Sequence, residues 1–230
     1  MSNDMTSLAM RLEGPMQSSG FDSQFNRRNT GLIPTKSGIA GMICAALGYT
    51  RGGDKENSFL LEYNSLKMTA IAIPRVMKRY FDNKEYDLEV RRIIDYHTVE
   101  GTVRASGSSN ANAVITYRQY LNDASFGIVL TGDNKLLNEI GDALKNPVWG
   151  IWLGRKNCIP TAPVFAGFFN DANSAYKSFL GERKGTFIIR SDADNFTSGT
   201  DSLPDNVVCF ESINRKFVPR RIINSTIIIE

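Results

Sequence analysis

The chain has 230 residues, of which 42% are hydrophobic and 22% charged, and its formal net charge at pH 7 is +3. This length supports one large or two small globular domains, and the mildly basic charge permits an acidic partner such as a nucleic acid. Three widely spaced cysteines without a C-x-x-C pair indicate neither a disulfide framework nor a zinc site and fit a reducing cytosol. The N-terminus lacks a signal-peptide pattern and the longest apolar run, 222–229, is too short to cross a membrane, so we expect a cytoplasmic protein without membrane contact.

Hydrophobic spacing in the first part of the chain predicts a strand, two helices and a second strand. Apolar and polar residues alternate over 5–13, which is typical of a strand. The stretch 31–48, GLIPTKSGIAGMICAALG, predicts a helix with an apolar stripe that begins behind a cap at Thr35 or Ser37. A second amphipathic helix is expected over 56–66, followed by a short strand in MTAIAIPR.

The middle of the chain predicts a long β-hairpin. From Tyr86 the hydrophobic period changes to two, and another long strand is expected over about 114–130. The polar sequence EGTVRASGSSNANA between them predicts a projecting hairpin over about 97–118. A helix capped by Asp133 or Asn134 and the extended segment VWGIWLGRKNCIPTAPVF then complete the order strand, helix, strand, strand, helix, strand.

That element order is shared by ferredoxin-like folds and RNA-recognition modules. The sequence therefore predicts an α+β protein with a ferredoxin-like domain over 1–167 and a small C-terminal α+β region over 168–230. The elements expected in the C-terminal region are a helix at 171–182, a strand at 186–190, a polar loop at 191–206 and strands near 207–211 and 216–229.

The start of the helix in 31–48 is a candidate anion site. A helix N-terminus presents unpaired N–H groups and the positive end of a dipole, and Lys36 lies beside it. A nucleotide-binding P-loop is excluded, because Gly31 is followed by Lys36 with no second glycine directly before the lysine. A buried helix with a solvated Lys36 is the alternative interpretation.

Other cations occur in groups that are interleaved with aromatic residues. Each group alone is compatible with a solvated surface, but several groups around an RNA-recognition-like fold favour binding of RNA phosphates and stacked bases. The groups are Arg27 with Arg28, Tyr117 with Arg118, Arg155 with Lys156, and Arg215, Lys216, Arg220 and Arg221.

The sequence offers little for catalysis. His97 is the only histidine, which excludes a nuclease that uses a histidine pair. No nucleophile-elbow, zinc-protease or dense carboxylate motif occurs, so we expect neither a metal nor a cofactor. His97 follows Asp95 and Tyr96 on the polar face of a predicted strand, where it could serve as a single general base, as a structural residue or as a ligand contact.

Several sequence blocks, spread from residue 8 to 221, together match a known family. The blocks are LAMRLEGPMQSSG, R-x-T, PTKSGIAGMICAALG, DYHTV, TYRQYLNDASF, WGIWLGRKNCIPTAPVFAG and FVPRR. They resemble the fifth family of CRISPR-associated proteins in its type I-E form, and PTKSG and LGRK-x-C-x-P-T are the most specific of them. The chain departs from the family at Ser19, where an aromatic residue is usual.

The resemblance implies a ferredoxin-like domain with a thumb hairpin, which caps the crRNA at its 5′ handle and joins CasC backbone subunits to the large CasA subunit. The thumb is expected to press into the guide–target DNA duplex. A different subunit, CasE, cuts the precursor RNA in type I-E systems, so a non-catalytic scaffold is expected. In a related subtype the family member makes this cut itself. The alternative function is therefore a metal-independent endoribonuclease, with His97 or Tyr96 as its general base. A stand-alone RNA-binding module is a third possibility.

The resemblance, together with the cation groups, assigns candidate RNA contacts to three places in the chain. These places are the helix start with the arginines before it, the GRK turn and the base of the thumb. The residues are Arg27, Arg28, Thr35, Lys36, Ser37, His97, Arg104, Tyr117, Arg118, Arg155 and Lys156.

Overall fold

The computed structural model describes residues 7–88, 90–104 and 106–229. Its helices are α1 (Lys36–Leu47), α2 (Asp54–Tyr63), α3 (Asn134–Lys145) and α4 (Ala172–Leu180). Its strands are β1 (Ser7–Glu13), β2 (Met16–Gln17), β3 (Arg27–Arg28), β4 (Lys67–Ala72), β5 (Arg75–Lys78), β6 (Glu85–Leu88), β7 (Arg91–Val99), β8 (Val114–Asn122), β9 (Ser125–Thr131), β10 (Phe165–Phe169), β11 (Gly185–Asp192), β12 (Asp201–Cys209) and β13 (Lys216–Ile229). None of the helices among the described residues is long and apolar enough to span a membrane.

A seven-stranded antiparallel sheet forms the frame of the molecule. Its strand order is β10-β1-β9-β4-β11-β13-β12. Helices α1 and α2 connect β1 to β4, and α3 connects β9 to β10. The mixture of helices with antiparallel strands confirms the predicted α+β class.

Both faces of this sheet are buried around β1, as the alternation along that strand shows. Leu8 and Met10 point into the larger core, which α1, α2 and α3 cover, whereas Ala9 points into a second core beneath α4. On β9, Gly127 faces α4 so closely that a Cβ atom there would lie 2.3 Å from the ring of Phe179. The absence of a side chain at Gly127 therefore allows α4 to pack onto the sheet.

Two hairpins leave the sheet between β4 and β9. Strands β5 and β6 form a two-stranded hairpin. Strands β7 and β8 form a longer one, and β8 is also paired with β2 and, in parallel, with β3. The connection between β7 and β8 spans 100–113, within the range predicted for the hairpin.

The strand predicted over 114–130 is in fact two strands in different sheets. Asp123 has a positive φ of 56°, which ends β8 and turns the chain into β9. Gln17 holds this corner, since its side-chain Nε2 donates to Ala124 O at 2.6 Å. Strand β8 thus belongs to the hairpin, while β9 enters the main sheet.

The long alternation from Tyr86 is likewise two strands rather than one. It is divided between β6 and β7, which pair with different partners. The face of β7 that carries the apolar residues is exposed, because Ile94 and Tyr96 remain 61% and 60% accessible. Period-two spacing identifies a strand but not what covers its apolar face.

The C-terminal region shares the main sheet with the rest of the chain. The predicted boundary between 167 and 168 falls inside β10, and β11 pairs directly with β4. The predicted loop over 191–206 is shorter than expected, because β11 continues to Asp192 and β12 begins at Asp201. The segment 148–164 is irregular rather than extended, and only Phe165–Phe169 pairs as a strand.

Candidate nucleic-acid groove

The side chain of Lys36 is buried at the start of α1. It is 3% exposed, and its Nζ donates to Leu66 O at 2.7 Å and to Asn64 O at 3.3 Å. The same Nζ lies 3.0 Å from Asp192 Oδ2. The donors of Nζ are therefore directed into the protein, and the contact of this side chain with RNA remains a prediction that this geometry does not favour.

Lys36 belongs to a buried network of two cations and two carboxylates. Arg220 binds Asp205 through two hydrogen bonds, Nε to Oδ1 at 2.7 Å and Nη2 to Oδ2 at 2.9 Å, and its Nη1 also contacts Asp192. Burial lowers the pKa of Lys36, and the negative charge of Asp192 opposes this effect. The network ties α1 to strands β11, β12 and β13, and we call it the α1 anchor.

The α1 anchor also occupies part of the predicted anion site. Asp205 Oδ2 accepts a hydrogen bond from the backbone N–H of Lys36 at 2.9 Å, and Thr35 Oγ1 accepts one from Gly38 N at 3.2 Å. Thr35 is thus the N-cap of α1, and it is one of the two residues that the sequence predicts for this position. A carboxylate of the protein itself takes the position that sequence analysis assigned to an external phosphate.

A groove runs along the exposed face of α1. Gly38, Gly41 and Ala45 line it at helical spacing, and their small side chains leave the helix backbone open over a volume of about 500 Å³. A neighbouring cavity of about 520 Å³ shares much of this lining and continues towards Trp149. Thr35 and Ser37 also line the groove, so the residues on either side of Lys36 face it while Lys36 does not.

The walls of the groove combine cations with aromatic rings. Trp152 and Phe210 supply the rings, and Arg51, Lys156 and Arg215 supply the charge. The described residues that line the 500 Å³ cavity include no carboxylate. We call this feature the α1 groove. Its composition suits a polyanion that also presents planar rings.

Arg51, Trp152 and Phe210 were missed as site residues by sequence analysis. Trp152 lies within the WGIWLGRK block, and Arg215 belongs to one of the cation groups, so both carried a weak signal. Nothing in the sequence near Arg51 or Phe210 indicates that the fold brings them to α1.

The GRK turn is held against the N-terminal segment. Gly154 has a φ of +103°, and a Cβ atom there would lie 1.7 Å from Ser18 O. The backbone of the turn closes through Leu153 N to Cys158 O at 2.7 Å and Cys158 N to Arg155 O at 2.8 Å. Only glycine fits at 154, and the resulting turn presents the exposed Lys156 to the groove.

Arg155 joins the groove to the hairpin. Its Nη1 donates to Gln119 O at 2.9 Å and its Nη2 donates to Arg28 O at 3.0 Å. The guanidinium carbon lies 4.4 Å from the ring centre of Tyr120. Arg155 is therefore a half-buried link between two surfaces, whereas Lys156 beside it is exposed.

The base of the β7–β8 hairpin brings four predicted residues together. Arg27 pairs with Tyr117 and lies 5.5 Å from its ring centre, and Arg28 pairs with Arg118. The ring of Tyr96 packs edge-on against Tyr117 at 5.8 Å. Tyr96 therefore forms an exposed cation–aromatic surface with Arg27 and Tyr117. Sequence analysis offers Tyr96 only as a candidate general base.

His97 and Arg104 lie farther out on the same hairpin, and neither lines the α1 groove. His97 Nδ1 is 3.4 Å from Asp95 Oδ2, and the imidazole is 47% exposed. Arg104 is in the connection between the strands, where its Nη2 donates to Asn110 Oδ1 at 3.3 Å. Apart from the buried Lys36, the predicted contacts thus fall into two surfaces, the groove and the hairpin, with Arg155 between them.

Comparison with known proteins gives consistent matches over nearly the whole chain. The family described as CRISPR-associated protein (Cas_Cas5) matches residues 7–223. The CRISPR system Cascade subunit CasD of Escherichia coli (strain K12) is 32% identical over 164 residues, which are 70% of this chain and 70% of that protein.

Two solved structures share the fold. One, described as a CRISPR RNA-guided surveillance complex, has a TM-score of 0.74 at 25% identity and covers 97% of this chain and 90% of that chain. A crystal structure of a Cas protein has a TM-score of 0.67 at 25% identity, with coverage of 96% and 95%.

Proposed function

This chain belongs to the family described as CRISPR-associated protein (Cas_Cas5), and from this we propose that it is a non-catalytic, RNA-binding scaffold subunit of a type I-E-like Cascade surveillance complex in antiviral defence. In this role, which is that of CasD, it caps the 5′ handle of the crRNA and joins the CasC backbone to the large CasA subunit. The strand order β10-β1-β9-β4 with its connecting helices supports a ferredoxin-like core. The cytoplasmic location remains a prediction.

The observation that carries this proposal is the α1 groove. Arg51, Lys156 and Arg215 can neutralise phosphates, while Trp152 and Phe210 offer faces on which unpaired bases stack. The hydroxyls of Thr35 and Ser37 add hydrogen-bonding groups at one end. A single-stranded handle presents both phosphates and unpaired bases, so it matches this lining better than a duplex does.

The β7–β8 hairpin is the proposed thumb. It projects exposed side chains of Ile94, Tyr96 and Ile115, next to the Arg27–Tyr117 pair. Apolar and aromatic groups of this kind can insert between base pairs, and the arginine can hold the adjacent backbone. This surface is assigned to the guide–target duplex.

Binding of a labelled handle RNA to the full-length chain, measured by fluorescence anisotropy, tests the proposal. We expect Trp152→Ala combined with Lys156→Met to weaken binding of the handle RNA roughly tenfold or more, because a stacked base and a phosphate contact are both removed. Lys67→Met is the matched control, since Lys67 is an exposed lysine outside the groove lining. Equal affinity of the groove variant and the control would contradict the assignment of the handle to the groove.

The endoribonuclease alternative rests on the His97–Asp95 contact, because a carboxylate near Nδ1 can orient an imidazole as a general base. Incubation of labelled precursor repeat RNA with the protein in EDTA separates the two functions. The scaffold proposal predicts binding without cleavage. Specific cleavage that His97→Ala abolishes would instead establish the nuclease.

A further inference from the structure

The β5–β6 hairpin carries two adjacent aromatic side chains that are almost fully exposed. Tyr80 and Phe81 at its tip are 100% and 83% accessible. The turn that holds them is hydrogen-bonded, from Arg79 N to Lys84 O and from Asn83 N to Arg79 O, each at 3.0 Å. Large aromatic groups that are this exposed on a hydrogen-bonded turn indicate a contact surface.

Cations accompany these rings. Arg79 lies 5.6 Å from the ring centre of Tyr86, and Lys84 closes the turn. Within the described residues, neither Arg79 nor Lys84 forms an ion pair, whereas Lys78 pairs with Glu85 at 3.5 Å. The turn also holds Asp82, whose Oδ1 accepts a hydrogen bond from Lys84 N at 3.0 Å, so the tip combines exposed rings with a small excess of positive charge.

An arginine-lined cavity lies at the base of the same hairpin. Its volume is about 210 Å³, and its described lining contains half-buried Arg11, Arg75 and Arg183 together with one carboxylate, Glu13. Arg75 is also paired with Asp123 at 2.9 Å, and Arg183 donates to Pro74 O, which leaves its positive charge in place. The cavity is thus a second cationic site in the molecule.

This site is on the opposite side of the sheet from the α1 groove. Phe179, which lines the cavity, belongs to the core beneath α4, whereas the groove lies along α1. Among the residues that the structure describes, none lines both cationic sites. A ligand of the cavity and hairpin is therefore separate from the RNA handle assigned to the groove.

We propose that the β5–β6 hairpin and the arginine cavity form a second nucleic-acid-binding surface, which takes an unpaired strand. Bases stack on Tyr80 and Phe81, and the cavity arginines hold a backbone phosphate. An unpaired strand is favoured over a duplex because base faces are covered in a duplex. Aromatic rings and arginines also occur in protein interfaces, so the choice of a nucleic acid rests on the cavity, whose described lining holds three arginines against one carboxylate and suits a phosphate.

Anisotropy of a labelled oligothymidylate with the full-length chain tests this proposal. We expect the double variant Tyr80→Ala, Phe81→Ala to bind roughly tenfold more weakly than the unmodified chain, since two stacking faces are lost. Leu61→Ala is the matched control, because Leu61 is 73% exposed on α2, outside both sites, and its loss should leave affinity unchanged. An unlabelled duplex of the same length should compete poorly.

Two further readouts make the test specific. Arg11→Met should reduce the slope of log affinity against log salt by about 0.7, the value for one phosphate contact with a single strand. The tip variant should retain full affinity for handle RNA, because the handle is assigned to the α1 groove. Handle binding therefore tests the groove assignment, and oligothymidylate binding tests the hairpin proposal. Unchanged oligothymidylate affinity in the tip variant would overturn the proposal. If the tip variant kept its oligothymidylate affinity but no longer assembled with other subunits, the hairpin would instead be a protein contact.

Discussion

Lys36 and Lys156 lie in similar sequence surroundings, a short motif with glycine and polar neighbours, yet the fold gives them opposite environments. Lys36 is enclosed by the carboxylate of Asp192 and two backbone carbonyls, whereas Lys156 is exposed at the wall of the α1 groove. The difference arises from strands far along the chain, because β11 and β12 supply the acids of the α1 anchor. A cation near a helix start is thus a ligand contact only if the rest of the fold leaves it unpaired.

The largest effect should come from breaking the α1 anchor. Arg220→Met leaves Asp205 and Asp192 buried with less compensating charge, and loss of one partner of such a pair costs about 3–5 kcal/mol of stability. Urea unfolding measures this change. Asp194→Ala is the control, because the ion pair of Lys67 with Asp194 is exposed and should make no measurable difference. A similar small effect for both variants would show that the anchor does not stabilise the fold.

A smaller loss is expected at the GRK turn. Gly154→Ala places a Cβ atom against Ser18 O at a positive φ, and strain of this kind costs about 1–3 kcal/mol. The same substitution at Gly101 is the matched control, because Gly101 also has a positive φ but, apart from its chain neighbours, no described heavy atom lies within 4 Å of a Cβ atom added there. Urea midpoints that fall equally for both would mean that backbone conformation alone, and not contact with Ser18, constrains the turn.

The smallest effect concerns the reactivity of the Cys44 thiol on α1, which alkylation measures. Burial raises the pKa of the Cys44 thiol to about 12, so at a pH of about 8.5, the ordinary pKa of a free thiol, Cys44 remains protonated in the folded protein. Cys209 is partly exposed, and we expect iodoacetamide to alkylate it well before Cys44. Mass spectrometry of the labelled peptides measures the order, and denaturant should remove the difference. Cys44 also lines the 520 Å³ cavity beside the groove, so faster labelling of Cys44 in the native protein would show that the thiol is accessible to reagent from that cavity.

Local signals in the sequence predicted the helices well. Thr35 and Gly48 end α1 as caps, and Asp133 caps α3 by accepting a hydrogen bond from Leu136 N. These features depend on residues within one turn of each other, so the sequence alone reveals them. The α+β class was predictable for the same reason, because the hydrophobic period that distinguishes helices from strands is also a local feature of the sequence.

The errors concern contacts between distant parts of the chain. The partners of Lys36 are 156 and 169 residues away, at Asp192 and Asp205, and no local pattern indicates them. The corner at Asp123 and the open face of β7 likewise depend on which sheet each strand joins. For the candidate site, the cation group and the resemblance both pointed to the GRK turn, but Arg51 and Phe210 reach the α1 groove only through the tertiary fold.

The most direct test of the central claim is the salt dependence of handle-RNA binding for Lys36→Met and Lys156→Met. We predict that Lys156→Met reduces the slope of log affinity against log salt by about 0.7 and leaves unfolding unchanged, since it removes one phosphate contact from the surface. Lys36→Met should lower stability by about 3 kcal/mol and keep the slope of the unmodified chain, because it breaks a buried pair without touching RNA. A reduced slope in Lys36→Met together with an unchanged slope in Lys156→Met would contradict the account.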